Sequence, residues 1–219
     1  MMSEESEFAL RKEIIDVSRA LQSRGLIKGT SGNVSARCGG GFLVTPTGIP
    51  YEDLTADKIV FMDMDGRFEG SVLPSSEWRF HRDVLSSFPH FNAVVHTHSP
   101  YATAVSIQRR EIPAIHYRIA VVGGETIPCV PYATFGTQEL ADAIVAGLQF
   151  RRGCLLAHHG TLAAHDSLTG ALNVAEVIEE IAKLYLLTLG AGEPFVLSSE
   201  EVATVIEKHK TYGQQPATI

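Results

Sequence analysis

The chain lacks several features that would place it outside the cell or in a membrane. Its 219 residues include only three cysteines, Cys38, Cys129 and Cys154, an odd number with no CxxC pair. No disulfide framework is therefore indicated, and a reducing, cytoplasmic setting is expected. No uncharged apolar run approaches the roughly 18 residues of a membrane span. Residues 1–24 mix Glu, Arg and Lys with apolar side chains, which is not the composition of a signal or transit peptide.

Basic residues are also in short supply. Lys and Arg number 18 against 25 Asp and Glu, giving a formal net charge of −7. A protein that binds nucleic acid broadly needs a surplus of cations on one face to neutralise phosphates. We therefore expect no nucleic-acid partner and no membrane partner, whereas one local pocket for a small anionic substrate stays compatible with this charge.

What is present is the composition of a globular protein, with 45% hydrophobic and 20% charged residues. A chain of this length suits one domain with a well-filled core. No internal repeat, low-complexity tract or long linker divides it. We expect a single domain over residues 1–219, with about residues 213–219 as a flexible tail.

The order of elements predicts the fold class. Apolar residues at Leu10, Ile14, Val17 and Leu21 share one face of a first helix that ends near Gly25. Strands are predicted at 33–37, 42–45, 59–63 (with a hairpin turn at 65–66), 91–98, 126–130 and 153–159. Helices are predicted from 75 or 76 to about 88, after 99–100, and over 137–149, 167–189 and 198–210. This mixture predicts an α/β sandwich in which a central mixed, largely antiparallel sheet lies between helices.

Two histidines at the end of a predicted strand suggest a metal site. His96 and His98 follow the apolar run 93–95. Alternate residues of a strand point to the same face and lie about 6.5 Å apart, so both imidazoles can reach one ion. An isolated HxH pair is often incidental, and the prediction needs further ligands.

The segment 158–160, His-His-Gly, supplies a third candidate after the apolar run 154–157. Neutral imidazoles around an open position are typical of catalytic zinc. If this segment continues a strand, His158 and His159 point to opposite faces, and spacing alone does not choose between them.

A carboxylate candidate lies at the start of a predicted helix, in Ser75-Ser76-Glu77. The simple interpretation is serine capping with an acidic residue near the positive end of the helix dipole. The functional interpretation is an anion site made of backbone N–H groups and two hydroxyls, beside a carboxylate that can ligate metal or move a proton.

Two glycine-containing turns are weaker candidates for anion binding. The first, 29–33 (Gly-Thr-Ser-Gly-Asn), matches neither a Walker loop nor GxGxxG. The second is 45–48, Thr-Pro-Thr-Gly. Taken alone, each is a turn between extended segments.

Taken together, these segments resemble the class II aldolase and adducin-head family, most closely its bacterial sugar-phosphate aldolase branch. The resemblance covers nearly the whole chain, through the blocks 29–35, 43–50, 75–78, 96–100, 131–137, 158–160 and 210–213. It implies a nine-stranded sheet between helices and a four-fold symmetric homotetramer with active sites at subunit interfaces.

The resemblance also implies residue roles. The third histidine is the one directly before glycine, His159, so that one Zn²⁺ per subunit is held by Glu77, His96, His98 and His159. Glu77 is a ligand in the empty enzyme and the acid/base when substrate is bound, and Tyr117 is a catalytic residue contributed by a neighbouring subunit. The substrate phosphate is assigned to Gly32, Asn33, Thr47, Gly48, Ser75 and Ser76, with Thr30 nearby. Phe135 and Tyr212 shape and close the aldehyde end.

The implied activity is reversible cleavage of a ketose 1-phosphate, of the L-fuculose 1-phosphate type, to dihydroxyacetone phosphate and an aldehyde such as L-lactaldehyde. The main alternative is an aldolase for 5-deoxyribulose 1-phosphate or 5-methylthioribulose 1-phosphate. A methylthioribulose-phosphate dehydratase is disfavoured, as is a ribulose-phosphate 4-epimerase, whose members resemble this chain but carry Asp at the position of Glu77. A non-catalytic adducin-like module is disfavoured because all four ligand positions are filled.

Overall fold

The fold is built on a seven-stranded sheet with helices on both faces. The computed structural model describes residues 3–209 and 211–212, and these residues form nine strands: β1 (Asn33–Cys38), β2 (Gly41–Val44), β3 (Val60–Asp63), β4 (Ala93–Thr97), β5 (Ile112–Pro113), β6 (Thr126–Ile127), β7 (Cys129–Val130), β8 (Gly153–Leu156) and β9 (Gly160–His165). The main sheet has the order β3-β2-β1-β4-β9-β8-β7. All of its neighbouring strands are antiparallel except β7 and β8, which are parallel.

Six α-helices cover the sheet: α1 (Glu4–Ser23), α2 (Trp78–Ser87), α3 (Pro100–Ile107), α4 (Gln138–Gly147), α5 (Leu168–Leu189) and α6 (Ser199–His209). Short 3-10 helices lie at Tyr51–Asp53, Ala56–Lys58 and Tyr117–Val122. The predicted α/β sandwich with a largely antiparallel central sheet is confirmed. No helix within the described ranges is long and apolar enough to cross a membrane.

Strand alternation divides the core into two halves. In β4, Ala93 and Val95 pack in the larger half, which includes α1, α3 and α5, whereas Val94 packs in the half that includes α2 and α4. His96 has the same parity as Val94 and therefore faces α2. Val34 of β1 belongs to the larger half, so Asn33 and Ser35 face α2 as well.

Side-chain and backbone features at several helix ends explain where the helices start. Thr137 and Ser167 cap α4 and α5 by accepting from backbone N–H groups, and Pro100 opens α3. At α6, the Glu201 carboxylate accepts from Ser198 N (2.8 Å) while Ser198 Oγ accepts from Glu201 N (3.2 Å), which together form a capping box.

Helix α2 begins later than predicted. Ser75 N donates to Thr45 O (3.0 Å), which ties Ser75 to the extension of β2 and prevents it from starting a helix. Its hydroxyl accepts from Glu77 N (3.2 Å) in a local turn, and Glu77 becomes the N-cap residue of a helix that starts at Trp78. The prediction of a start at Ser75 or Ser76 is therefore wrong by two to three residues.

The predicted strand over 126–130 is two strands in two sheets. Pro128 has no N–H to continue a ladder. Its carbonyl instead accepts from Leu155 N (2.8 Å), and the chain passes there from the two-stranded β5–β6 sheet to the main sheet. The expectation of one nine-stranded sheet is corrected accordingly: the nine strands of the described residues form sheets of seven and two.

The predicted strand over 153–159 ends early, and the strand that follows it was missed. His158 has φ +57°, and His159 N donates to Leu156 O (3.0 Å), so residues 157–159 form a turn between β8 and β9. The apolar run alone gave no sign of this reversal. The predicted hairpin at Asp65-Gly66 closes through a single bridge between Met62 and Phe68 rather than a second strand.

Gly32 lets β1 approach β4 at the point where His96 lies. It has φ +77°, and a Cβ added there would lie 2.7 Å from His96 O and 2.9 Å from Ile27 Cγ2. Gly29, in the same turn, has φ +61° with nothing within 4 Å of an added Cβ. Both glycines adopt the left-handed backbone conformation, but only at Gly32 would an added Cβ contact neighbouring atoms.

We predict that Gly32→Ala destabilises the protein more than Gly29→Ala. Both variants incur about 1–2 kcal/mol for a left-handed alanine. Gly32→Ala adds about 1–3 kcal/mol for displacing the strand that carries His96. Urea unfolding of both variants measures the difference, and equal losses would show that β1 and β4 do not depend on this contact.

Candidate metal centre and substrate cleft

Four side chains meet at one end of the main sheet. β1 begins there, β4 ends there, and β8 turns into β9. His96 and His98 come from the end of β4, His159 from the β8–β9 turn, and Glu77 from the N-cap of α2. One ligand atom from each of the four lies within 4.8 Å of all the others.

The three imidazoles have an almost three-fold arrangement. Each pair of ring centroids is 4.8 Å apart, and the ring planes meet at 74° to 76°. Rings that pack for apolar contact alone have no reason to point their nitrogens at one place. Here Nε2 of His96 and Nε2 of His98 are 2.9 Å apart.

The distances to the carboxylate suit a single tetrahedral ion. Glu77 Oε2 is 3.3 Å from His96 Nε2, and Glu77 Oε1 is 3.3 Å from His159 Nε2. Two ligands bonded at about 2.0–2.1 Å to one tetrahedral zinc are about 3.3 Å apart. The donor set of three imidazoles and one carboxylate is also one that zinc accepts.

Backbone pairing orients His96 for coordination. Its Nδ1 lies 2.8 Å from Thr161 O, which can only accept, so Nδ1 carries the proton and Nε2 presents its lone pair to the cluster. Such a bond from the non-coordinating nitrogen to a carbonyl is a common support for metal-binding histidines. The pairing of β4 with β9 provides this carbonyl.

An unpaired buried oxygen independently indicates a cation. Glu77 is 7% exposed, and its Oε1 is buried without a hydrogen-bond partner. A buried carboxylate oxygen without a partner is costly unless a positive charge neutralises it. The cluster is therefore able to hold a metal ion.

Burial keeps the imidazoles ready to bind. Desolvation, reinforced by the neighbouring His96, lowers the pKa of His98 to about 4 and the pKa of His159 to about 3. Burial by itself would raise the pKa of Glu77, but attraction to His96 and His159 and the hydrogen bond from Asn33 outweigh it and lower that pKa. At neutral pH His98 and His159 are therefore uncharged and Glu77 is ionised, which is the state in which these groups bind metal.

The β8–β9 turn separates the two neighbouring histidines. His159 joins the cluster, whereas His158 is exposed and its Nε2 accepts from Arg109 Nε (3.0 Å). The left-handed backbone at His158 directs the two side chains differently. Because both residues lie in a turn and not in the predicted strand, strand alternation does not apply to them.

A cleft of about 360 Å³ opens beside the cluster. Its walls are formed by Ser76, Glu77, His98, Tyr132, Ala133, Phe135, His158 and His159. Phe135 is 64% exposed at its rim. The predicted residues Ser76 and Phe135 thus share a cleft with three cluster residues. No role in the cleft had been predicted for Tyr132, and His158 had been named only as an alternative metal ligand.

The predicted anion-binding turns lie next to one another and to Glu77. Residues 45–47 pair with residues 73–75, since Thr47 N donates to Leu73 O (3.1 Å) and Ser75 N donates to Thr45 O. Thr45 also pairs with Val34, which adjoins Asn33. Ser75 is buried, whereas Ser76, Thr47 and Gly48 are exposed. Three separate sequence blocks therefore converge at one end of the sheet.

A buried tyrosine stabilises the turn over residues 29–33 by hydrogen bonding to its backbone. Tyr51 donates its hydroxyl to Gly32 O (2.7 Å) and approaches Ser31 O (3.2 Å). Burial and the nearby Glu77 raise the pKa of Tyr51, so it keeps this proton. Thr30 is exposed at the outer end of the turn.

The structure does not bring Tyr117 or Tyr212 to the cluster of the same chain. Both are exposed, and both line a separate cleft of about 760 Å³ with His116, Arg118 and Lys208 among its walls. Their predicted roles in the substrate site require a second copy of the chain. Lys210 and residues 213–219, including the expected tail, lie outside the described part of the chain.

Two further buried polar residues were missed in the sequence. His81 and Ser35 are fully buried beside Asn33. His81 lies four residues after Glu77, one helical turn along α2, which was the only available signal.

The chain belongs to the class II aldolase and adducin N-terminal domain family, whose model matches residues 12–186. It is 53% identical to L-fuculose phosphate aldolase of Escherichia coli strain K12, over 93% of this chain and 95% of that protein. It is 46% identical to the 5-methylthioribulose-1-phosphate/5-deoxyribulose-1-phosphate aldolase of Rhodospirillum rubrum, over 95% and 94% of the two chains. The solved structure of an L-fuculose 1-phosphate aldolase superposes with a TM-score of 0.90 at 38% identity, covering 96% of this chain and 98% of that one.

Proposed function

We propose that this protein is a zinc-dependent aldolase that reversibly cleaves a ketose 1-phosphate of the L-fuculose 1-phosphate type to dihydroxyacetone phosphate and an aldehyde such as L-lactaldehyde. The observation that carries the proposal is the buried cluster of Glu77, His96, His98 and His159, with its unpaired carboxylate oxygen, at the wall of an open cleft. The names of the relatives at 53% and 38% identity support the substrate.

Aldol cleavage moves an electron pair from the breaking carbon–carbon bond into a carbonyl, and a bound divalent cation would act as a Lewis acid that stabilises this negative charge. Histidines coordinate a metal as neutral imidazoles and so add no charge to the ion. They therefore leave the positive charge of the ion available to the substrate.

Glu77 is placed to move the proton at the carbon next to the carbonyl. It is ionised, it lies at the wall of the cleft, and Asn33 Nδ2 donates to its Oε2 (2.9 Å). On condensation this carboxylate removes the proton from dihydroxyacetone phosphate, and on cleavage it returns it. Tyr117 of a neighbouring subunit accepts the hydroxyl proton of the substrate on cleavage and donates it to the aldehyde oxygen on condensation.

The phosphate binds in this proposal to Gly32, Asn33, Thr47, Gly48, Ser75 and Ser76, with Thr30 nearby. The adjacent backbone of residues 45–48 and 73–76, with its exposed hydroxyls, supports the assignment. Anchoring at a group remote from the reacting bond holds the substrate in register with the cluster. Phe135 and the neighbouring Tyr212 then shape the aldehyde end.

We further infer one zinc ion per subunit, a cytoplasmic location and a single domain spanning the chain. The homotetramer with sites between subunits is supported by the exposure of Tyr117 and Tyr212 in a cleft apart from the cluster. An active site completed from the next copy accounts for both tyrosines.

A second candidate is an aldolase for 5-deoxyribulose 1-phosphate or 5-methylthioribulose 1-phosphate. A relative of that name is 46% identical over 95% of this chain, and the reaction needs the same cluster and phosphate site. The two candidates differ at the aldehyde end, where Tyr132, Phe135 and His158 line the cleft. The epimerase stays disfavoured because residue 77 is Glu, and the adducin-like module because four ligand atoms converge.

We predict that Glu77→Gln folds normally and lowers kcat by about 10²–10⁴-fold, because the amide cannot take the proton. Steady-state kinetics of zinc-loaded protein, with zinc content and circular dichroism, measure this. Glu193→Gln, at an exposed position, is the matched control and keeps wild-type kinetics. Wild-type turnover by Glu77→Gln, or by protein freed of metal with a chelator, would contradict the proposal.

We predict that dihydroxyacetone phosphate condenses far faster than unphosphorylated dihydroxyacetone, because only the former occupies the anion site. Ranking kcat/KM for L-lactaldehyde, acetaldehyde and methylthioacetaldehyde with this donor separates the two candidates. A preference for L-lactaldehyde supports the first and a preference for either of the others supports the second. Equal kcat/KM for both donors would remove the phosphate site.

We predict that inactive Glu77→Gln and Tyr117→Phe proteins regain activity when unfolded together and refolded as a mixture. Random assembly of a ring with sites between neighbours restores both residues in about a quarter of the sites. Activity of the mixture is compared with each variant refolded alone. If mixing restored nothing while both variants assembled normally, Tyr117 would not act across an interface.

A further inference from the structure

A row of buried polar side chains leads away from the cluster into the core. Ser35 Oγ lies 2.6 Å from His81 Nδ1, His81 Nε2 lies 2.5 Å from Asn33 Oδ1, and Asn33 Nδ2 lies 2.9 Å from Glu77 Oε2. Ser35 and His81 are 0% exposed and Asn33 is 4% exposed. The row joins β1 to α2 within the half of the core that otherwise contains apolar residues.

The chemistry of the groups gives every bond in the row one direction. The ionised Glu77 carboxylate can only accept, so Asn33 must present its N–H₂ to it and its carbonyl oxygen to His81. His81 must then donate from Nε2, which leaves Nδ1 as the acceptor for the Ser35 hydroxyl. A single rotated amide or a different imidazole tautomer would place two acceptors against each other.

Burial favours the neutral imidazole that this arrangement needs. Desolvation and the nearby His96 lower the pKa of His81 to about 3. A neutral histidine has one donor and one acceptor nitrogen, and both are used here. Phe80 packs beside the ring at a centroid distance of 4.7 Å, which adds to its burial.

We propose that His81 is a positioning residue that fixes the orientation of the Asn33 amide, a role that rests on the proposed function. The amide then donates to Glu77 and holds that carboxylate towards the three histidines. His81 does not itself reach the cluster. A leucine in its place would fill much of the volume, but Asn33 Oδ1 would lose its donor and the amide would be free to rotate away from the carboxylate. The row of Ser35, His81 and Asn33 therefore orients the Glu77 carboxylate and is not needed to fill the core.

The test compares three proteins by zinc affinity, measured by competition with a chromophoric chelator, and by kcat of the zinc-loaded form. His81→Leu removes the donor and weakens zinc binding by about 10- to 100-fold, the usual effect of losing a supporting group behind a ligand. His81→Gln carries an amide N–H near the position of Nε2 and recovers most of the loss. Unchanged zinc affinity in His81→Leu overturns the proposal.

A double-mutant cycle shows whether His81 acts through Asn33. In an Asn33→Ala background, His81→Leu should have almost no further effect on zinc affinity, because the amide that it orients is gone. A loss as large as in the wild-type background means that His81 acts by another route, and overturns the proposal. A merely structural role would instead lower the unfolding midpoint equally in both backgrounds.

Neutron diffraction from the perdeuterated, zinc-loaded wild-type protein keeps the test decisive if His81→Leu does not fold. It should show deuterium on Nε2 of His81, none on Nδ1, and the Asn33 amide nitrogen facing Glu77. Deuterium on Nδ1 overturns the proposal. Wild-type protein that binds zinc but has no aldolase activity would instead refute the proposed function and leave the role of His81 towards Glu77 intact.

Discussion

The register between β1 and β4 is the constraint on which the rest of the site depends. Asn33 pairs directly with His96, and Val34 to Ala36 pair with Val95 to Ala93. Because side chains alternate, this register places Asn33, Ser35 and His96 on the face that α2 covers. A slip of one residue would turn the polar residues of β1 away from α2 and leave Glu77 without its partner. The close approach of the two segments also needs a glycine at position 32, because a Cβ added there would lie 2.7 Å from His96 O.

Charge balance explains why so many polar groups are buried at one place. The imidazoles of His98 and His159 are kept neutral by desolvation, and the Glu77 carboxylate is kept ionised by its neighbours. One oxygen of the Glu77 carboxylate accepts a hydrogen bond from Asn33, while the other has no hydrogen-bond partner. A divalent cation would complete this arrangement, because it supplies the positive charge that no described residue brings to that oxygen.

The residues assigned to the metal and the phosphate and those assigned to the aldehyde lie on different parts of the structure. The cluster and the turns assigned to phosphate lie at strand ends, in turns between strands and at a helix start of one chain. The residues assigned to the aldehyde end, Phe135, Tyr117 and Tyr212, are exposed and lie on other elements. Related aldolases with different aldehyde partners could thus keep the first part unchanged and vary the second.

The sequence by itself determined the fold class, most helices with their caps, and the ligand types of the site. These follow from local patterns: the 3.6-residue spacing of α1, the Ser198–Glu201 capping box, and the HxH pair after an apolar strand. The resemblance to a family added the choice of His159 and the residues assigned to phosphate, and their roles stay predictions.

Only the tertiary structure decided where the chain reverses and which buried groups meet. The turn at His158 and the break at Pro128 depend on hydrogen bonds to residues distant in sequence, which an apolar run does not reveal. Ser75 leaves the helix because Thr45 holds its N–H. His81 carried no motif, because its partners Asn33 and Ser35 lie 48 and 46 residues away in sequence. They meet His81 only where α2 packs over β1.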